Sequence, residues 1–249
     1  MSYYDVVIVS VIPARGGSKG IEYKNIIPFL GNPLLSYTVT QSVTSDSIDH
    51  TFVSTDDENI ASVGREYGAE IIERPDELAG DEATTESALL HAVETMQERD
   101  INPDIVVLLQ CTSPLRRSGD ITRTVELLTE EGYDSALSVC EDHKFYWETG
   151  NNGAEPVNYD PANRKRRQDL EQRYQENGSI YAVRTGVFET HECRLGGQIG
   201  LNTMPKSLSF EIDDKDDLRI VESIGRNVEF HTGELDVDYD SETTTEVDV

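Results

Sequence analysis

Positive charge is scarce in this chain. Lysine and arginine number 21 against 48 aspartates and glutamates, a formal net charge of −27 over 249 residues. Nonspecific nucleic-acid binding needs an extended basic surface, so the composition argues against it. The acids are spread along the sequence, which reads as a general solvating surface. High salt would screen their repulsion. A salt-adapted protein is the corresponding hypothesis, and equal stability in low and molar salt would count against it. A specific cationic partner is the alternative.

Cysteine is sparse too. Cys111, Cys140 and Cys193 are odd in number and form no CxxC pair, which argues against a disulfide framework or a zinc site. Each is expected to pack as a small hydrophobe. The five histidines show no metal-ligand spacing, and no Ser/His/Asp assembly stands out. No apolar run approaches the length of a membrane span. The first residues, Met1-Ser2-Tyr3-Tyr4-Asp5, have neither the basic start nor the apolar stretch of a secretory signal. The expectation is a cytoplasmic protein with no membrane or nucleic-acid partner.

What remains is a regular alternation. With 37% hydrophobic residues the chain can bury a real core. Strand-like runs fall at 6–12, 50–54, 69–72, 105–110, 134–139, 179–184 and 208–212. Helical spacing falls at 33–45, 56–67, 84–99, 118–131 and 214–226, with Asp56 or Asp57 and Ser118 as capping residues. This order predicts an α/β fold with an open, mostly parallel sheet covered on both faces. The alternation fails at about 141–175, which holds Trp147, several tyrosines, the turn Asn151-Asn152-Gly153 and the basic run Arg164-Lys165-Arg166-Arg167. An inserted lid or dimer arm is expected there. One domain is expected over 1–232, with an acidic, disordered tail over 233–249.

Several motifs carry chemistry. Pro13-Ala14-Arg15-Gly16-Gly17-Ser18-Lys19-Gly20, then Lys24-Asn25, follows the first strand. It matches neither Walker A nor GxGxxG. Glycines allow a tight turn, and Arg15, Lys19 and Lys24 suit a polyphosphate. A structural turn with solvated lysines is the alternative. Gln110, at the end of a central strand, can both donate to and accept from a polar substrate such as a sugar; a simple turn closed by Ser113-Pro114 competes with that reading. Glu211 and Asp213, about 7 Å apart if the segment is a strand, can share a hard cation. Capping of the next helix by Asp213 or Asp214 competes. Arg74 can reach a nucleotide, and Thr84 and Thr85 can cap a helix or bind a ligand; a plain connection competes. Arg166 and Arg167, in the expected lid, suit a carboxylate; a solvated basic run competes.

The stretches IPARGGSKGIEYKN, ERPDELAGDEATT, LLQCTSPLR, RRQDL with YQENGSIYAVR, and FEIDDKDDL occur in the order seen in one family. Together they resemble the acylneuraminate cytidylyltransferases, the CMP-sialic acid synthetases, from about residue 5 to 226. The resemblance implies a Rossmann-like three-layer α/β/α nucleotidyltransferase fold and a homodimer formed through an inserted arm. It implies transfer of CMP from CTP to the anomeric hydroxyl of a nine-carbon 2-keto sugar acid, with release of pyrophosphate and a need for Mg²⁺. By the same resemblance Arg15, Ser18, Lys19, Asn25 and Arg74 bind the nucleotide, and Lys24 and Asp213 join Arg15 in catalysis. Gln110, Thr84, Thr85 and Arg167 bind the sugar, and Glu211 and Asp213 hold the metal. Two residues depart from the family pattern. Glu211 stands where many members have aspartate, and Thr84-Thr85 replaces a serine pair. Legionaminic, pseudaminic and related acids all remain open as acceptors. A non-catalytic nucleotide-binding regulator of the same fold and a nucleotidyltransferase for another sugar are the alternative functions.

Overall fold

β-Branched runs seed the strands, and the helices between them bury one face each. The computed structural model describes residues 6–17, 20–150, 153–233 and 235–237. β1 (Ile8–Pro13) precedes a two-residue pair, β2 (Pro28–Phe29) and β3 (Asn32–Pro33), and then α1 (Leu34–Val43). β4 (His50–Thr55), α2 (Glu58–Glu66), β5 (Glu70–Glu73), α3 (Thr85–Glu98), β6 (Ile105–Leu109) and α4 (Asp120–Thr129) follow. β7 (Ser135–Glu141) leads into a separate hairpin, β8 (Trp147–Gly150) and β9 (Gly153–Pro156). β10 (Tyr174–Arg184), α5 (Thr185–His191), β11 (Ile199–Thr203) and α6 (Lys215–Gly225) complete the order.

Seven strands make one sheet in the order β11-β7-β10-β6-β1-β4-β5. β10 runs antiparallel to both neighbours, and the other pairs are parallel. Strand alternation splits the core into two layers. Ile8 and Ile12 of β1, with Val107 of β6, pack towards α1, α4 and α6. Val9, Val11, Val106 and Leu108 pack towards Leu89, Val93 and Met96 of α3 and Phe188 of α5. From β1 the chain moves outward through β4 and β5, then returns to the other side of β1 as β6. That reversal opens a crevice at the carboxyl ends of β1 and β6, where open α/β sheets hold ligands. Arg15 and Gln110 follow those two strand ends.

Several expectations are corrected. The last strand, expected at 208–212, is absent: a 3₁₀ turn spans Lys206–Leu208 and the rest is irregular. The apolar letters at 208, 210 and 212 imitate one face of a strand, but Leu208 and Ile212 are buried there while Phe210 is exposed. The edge strand of that end is β11 instead. Its inward residues are Gly200 and Asn202 and its outward ones Ile199 and Leu201, an inverted pattern that hides it. Asn202 is held inside by hydrogen bonds from its Nδ2 to the Asp120 carbonyl and Thr124 Oγ1. The short α5 was also unforeseen. Ser118 does not cap α4, whose N-cap is Gly119 in the left-handed region. Asp57 caps α2 by accepting from Asn59 and Ile60.

The hairpin expected at Asn151-Asn152-Gly153 is present, although Asn151 and Asn152 lie outside the described residues. In the same segment Arg164 lies over the Phe145 ring, 4.6 Å from its centroid, and Tyr159 packs against Phe145 and Trp147. Within the expected tail, Leu235 and Val237 pack against the core and the Asp236 carbonyl accepts from Asn32. Residues 234 and 238–249 lie outside the described residues.

Asp214 begins α6 with a capping box: its carboxylate accepts from the N–H groups of Asp216 and Asp217, and Asp217 reaches back. Asp214→Ala is expected to lower stability by about 1 kcal/mol, read by chemical denaturation. An unchanged midpoint would remove the cap from the account.

Candidate active site

The loop after β1 is tied down at several points. Asn25, buried, donates from Nδ2 to the Arg15 carbonyl at 2.9 Å. The Gly16 N–H donates to Asp56 Oδ1 at 2.9 Å. Arg15 Nη1 donates to the Gly80 carbonyl at 2.8 Å, and its Nη2 lies 3.4 Å from Asp81. Ser18 and Lys19 lie outside the described residues. Gly20 closes the loop against the acidic segment before α6. A Cβ on Gly20 would sit 2.3 Å from the Asp213 carbonyl oxygen, so no other residue permits this approach without a shift. Lys24 follows, and its Nζ lies 3.1 Å from Asp213 Oδ1.

Arg15, Gly20, Lys24, Asn25 and Asp213 line one cavity of about 430 Å³ with Arg74, Thr84, Thr85, Ala83 and Ala88. Arg74 is anchored by donating to the Ser54 carbonyl at 2.6 Å and Ser54 Oγ at 3.1 Å. Burial lowers its pKa, with Asp56 opposing and Arg15 adding to the fall. Thr84 caps α3, its Oγ1 accepting from Ser87. The helix-capping and ligand-facing readings of that pair therefore coexist at one place. Arg15, Lys24 and Arg74 bring three guanidinium or ammonium groups to a single cavity, with Asp213 among its lining residues. Preorganised cations of this kind stabilise charge developing on phosphate oxygens.

Glu211 and Asp213 flank Ile212, which is fully buried. The Ile212 N–H donates to the Thr112 carbonyl at 2.9 Å, which joins the acidic segment to the Gln110 loop. Both acids flank this anchored residue, and Asp213 is among the charges acting on Glu211. The two competing readings of the acids separate: Asp214 is the cap, and Asp213 faces Lys24. Glu211 does not line the cavity just described. It lies against Gly178, whose φ is +64° and where a Cβ would collide with the Glu211 carboxylate. Burial, then Asp213, raises the Glu211 pKa; Glu176 and Asp217 add to this and Lys24 opposes it. Crowded carboxylates of this kind fit a cation. Among the described residues no group of three or more His, Cys, Asp or Glu is placed to hold a metal. Magnesium needs only one or two carboxylates when phosphates and water complete its shell, so the pair fits that ion.

Two expected site residues stand apart. Gln110, half-buried, is beyond the lining of this cavity, although its loop touches Asn25 through Cys111 Sγ at 3.8 Å. Arg167 lies in a different cleft of about 620 Å³, with Arg117, His143, Lys144 and Lys206. One chain does not bring Arg167 to Arg15. Asp56, read from sequence only as a possible helix cap, and Asp81, read only as part of the Arg74 segment, engage the loop; in so acidic a chain nothing marked them as its partners.

Residues 9–240 match the model of the cytidylyltransferase family. The chain belongs to that family. It is 35% identical over 210 residues to N-acylneuraminate cytidylyltransferase A of Danio rerio, covering 83% of this chain and 48% of that protein. It is 36% identical over 138 residues to the N-acylneuraminate cytidylyltransferase of Escherichia coli O18:K1:H7, covering 55% of this chain and 32% of the relative. The chain therefore spans about half the length of the curated relatives it matches. Among solved structures, a CMP:2-keto-3-deoxy-manno-octonic acid synthetase complexed with CTP superposes with a TM-score of 0.65 at 18% identity, covering 88% of this chain and 98% of the other. A 4-diphosphocytidyl-2C-methyl-D-erythritol synthase gives 0.66 at 11%, covering 88% and 99%. At these identities the likeness establishes the nucleotidyltransferase fold that the family shares.

A carboxyl whose pKa is raised in the folded chain holds its proton more tightly there than when unfolded. Its contribution favours folding in acid and is lost as pH rises through the folded value. Glu211→Gln is therefore expected to raise the melting temperature at pH 7 without divalent cations, and to do so less at about pH 4. A lower melting temperature at pH 7 would contradict a Glu211 whose pKa is raised by burial and neighbouring acids.

Proposed function

We propose that this chain transfers CMP from CTP to the anomeric hydroxyl of a nonulosonic acid of the N-acylneuraminate type. The observation that carries the reading is the single cavity in which Arg15, Lys24 and Arg74 face Asp213. Family membership and the names of the relatives support it.

The sugar hydroxyl oxygen attacks the α-phosphorus, the bond to the bridging oxygen of the β-phosphate breaks, and pyrophosphate leaves. Arg15 and Lys24 neutralise the triphosphate and the departing charge. Arg74, fixed on Ser54, holds the nucleotide in register. Glu211 and Asp213 are the residues that would hold Mg²⁺. When bound, that ion supplies charge neutralisation and acidifies or aligns the attacking hydroxyl. The hydroxyl proton passes to Asp213 or to solvent. Ser18 and Lys19, which lie outside the described residues, are assigned to the phosphates by the family pattern alone; Asn25 fixes the loop, and Gln110, Thr84 and Thr85 orient the sugar, which supplies much of the rate.

Arg167 as the partner of the sugar carboxylate requires a second copy of the chain, because in one copy it lines another cleft. Exposed Tyr146, Trp147, Val157 and Tyr174 on the inserted segment favour a homodimer through that arm. No described helix is long and apolar enough to cross a membrane, and a cytoplasmic location belongs to this proposal.

Lys24→Ala and Asp213→Ala are each expected to abolish pyrophosphate release from CTP and a nonulosonic acid while leaving the circular dichroism spectrum unchanged. Near-normal turnover in either variant refutes these roles. Activity only with a phosphorylated acceptor would move the chain to another sugar class. No turnover with any acceptor, but CTP binding by calorimetry, would make it a nucleotide-binding regulator.

A further inference from the structure

We propose that Arg116 is a positioning residue for the sugar acceptor, acting by fixing the backbone that carries Gln110. The inference rests on the sugar role of Gln110 in the proposed function. Arg116 belongs to the same loop and is 1% exposed. Its Nη2 donates to the Gln110 carbonyl at 2.8 Å and to the Ser179 carbonyl at 3.0 Å. Its Nη1 donates to Gln41 Oε1 at 2.8 Å and to Thr38 Oγ1 at 3.1 Å. One planar fork thereby ties α1 to the carboxyl end of β6 and to the facing residue of β10. The Gln110 N–H also donates to the Ser179 carbonyl, and the Gln110 carbonyl also accepts from Ser113. Both backbone groups of Gln110 are held, and its half-buried side chain is the part left to meet a ligand.

All four acceptors of this guanidinium are neutral, and its Nε has no partner among the described residues. Burying a cation without a hydrogen-bonded carboxylate is costly, and burial pushes the Arg116 pKa down to about 10 against the pull of Cys111 and Asp120. Stability alone is poorly served by such a group; placement of the loop is served well. The clamp extends outward. Gln41 Nε2 donates to the carbonyls of Pro114 and His231, and the His231 N–H donates to the Arg116 carbonyl. Lysine at position 116 keeps the charge but has a single nitrogen, which cannot span α1 and the two strand ends as a fork does.

The test is steady-state kinetics on the full chain for Arg116→Lys, Gln110→Ala and the double variant, with CTP and the best nonulosonic acid. Arg116→Lys is expected to raise the KM for the sugar acid about tenfold and to leave the KM for CTP within about twofold. In the Gln110→Ala background the same change is expected to shift the sugar KM by less than about threefold. A shift of equal size in both backgrounds, or a parallel rise in the KM for CTP, marks a merely structural arginine and overturns the proposal. If Arg116→Lys fails to fold by circular dichroism, Thr38→Val carries the test. It removes one acceptor and is expected to raise only the sugar KM, by about threefold; an unchanged sugar KM overturns the proposal. If Gln110→Ala itself leaves the sugar KM unchanged, the sugar role of Gln110 fails and the positioning role falls with it. If Gln110→Ala raises that KM and Arg116→Lys does not, only the positioning role fails.

Discussion

The approach of Gly20 to the Asp213 carbonyl is the constraint on which the site depends. It joins a loop from the amino-terminal strand to a segment almost two hundred residues later. The ion pair between Lys24 and Asp213 lies across the same junction, but Asp213 is 71% exposed, and an exposed pair is worth at most about 1 kcal/mol. The junction is held from beneath. Ile212 is fully buried, worth roughly 2 kcal/mol of apolar burial, and its N–H is fixed on the Gln110 loop. Apolar packing therefore sets where the acids stand, and the charges are free to answer to a ligand.

A second constraint acts on charge. In a chain with 48 acidic and 21 basic residues, three cations meet at one cavity. Each already faces a carboxylate or carbonyl: Asp81 and Gly80 for Arg15, Asp213 for Lys24, Ser54 for Arg74. These partners hold the cations in place while leaving donor groups for phosphate oxygens. Arg116 shows the opposite use of a guanidinium, with both of its terminal nitrogens engaged by neutral backbone and side-chain oxygens behind the Gln110 loop.

Much of this was legible in the sequence, for identifiable reasons. β6 is an uninterrupted apolar run and β1 is broken only by Ser10, and the glycine-rich loop after β1 shows where a backbone approaches a partner. The cations at 15, 24 and 74 stood out because cations are rare here. β11 was illegible because it buries Gly200 and Asn202 and exposes Ile199 and Leu201. The segment 208–212 misled because Leu208, Phe210 and Ile212 alternate in sequence as one face of a strand would, whereas Phe210 is exposed and only the other two are buried. Glu211 and Asp213 flank the buried Ile212, but Asp213 lines the cavity whereas Glu211 packs against Gly178. Asp214 as the cap and Asp213 as the acid that lines the cavity could not be told apart from adjacent identical letters. Arg167 was assigned from family pattern, and the fold of one chain sends it to another cleft.

The most direct measurement is a crystal structure of the chain with CTP and magnesium bound. The account predicts the triphosphate lying between Arg15, Lys24 and Arg74, with its α-phosphate towards Asp213 and the metal on Glu211 and Asp213. A triphosphate seated elsewhere, for instance in the Arg167 cleft, or a metal with neither acid in its shell, would contradict it.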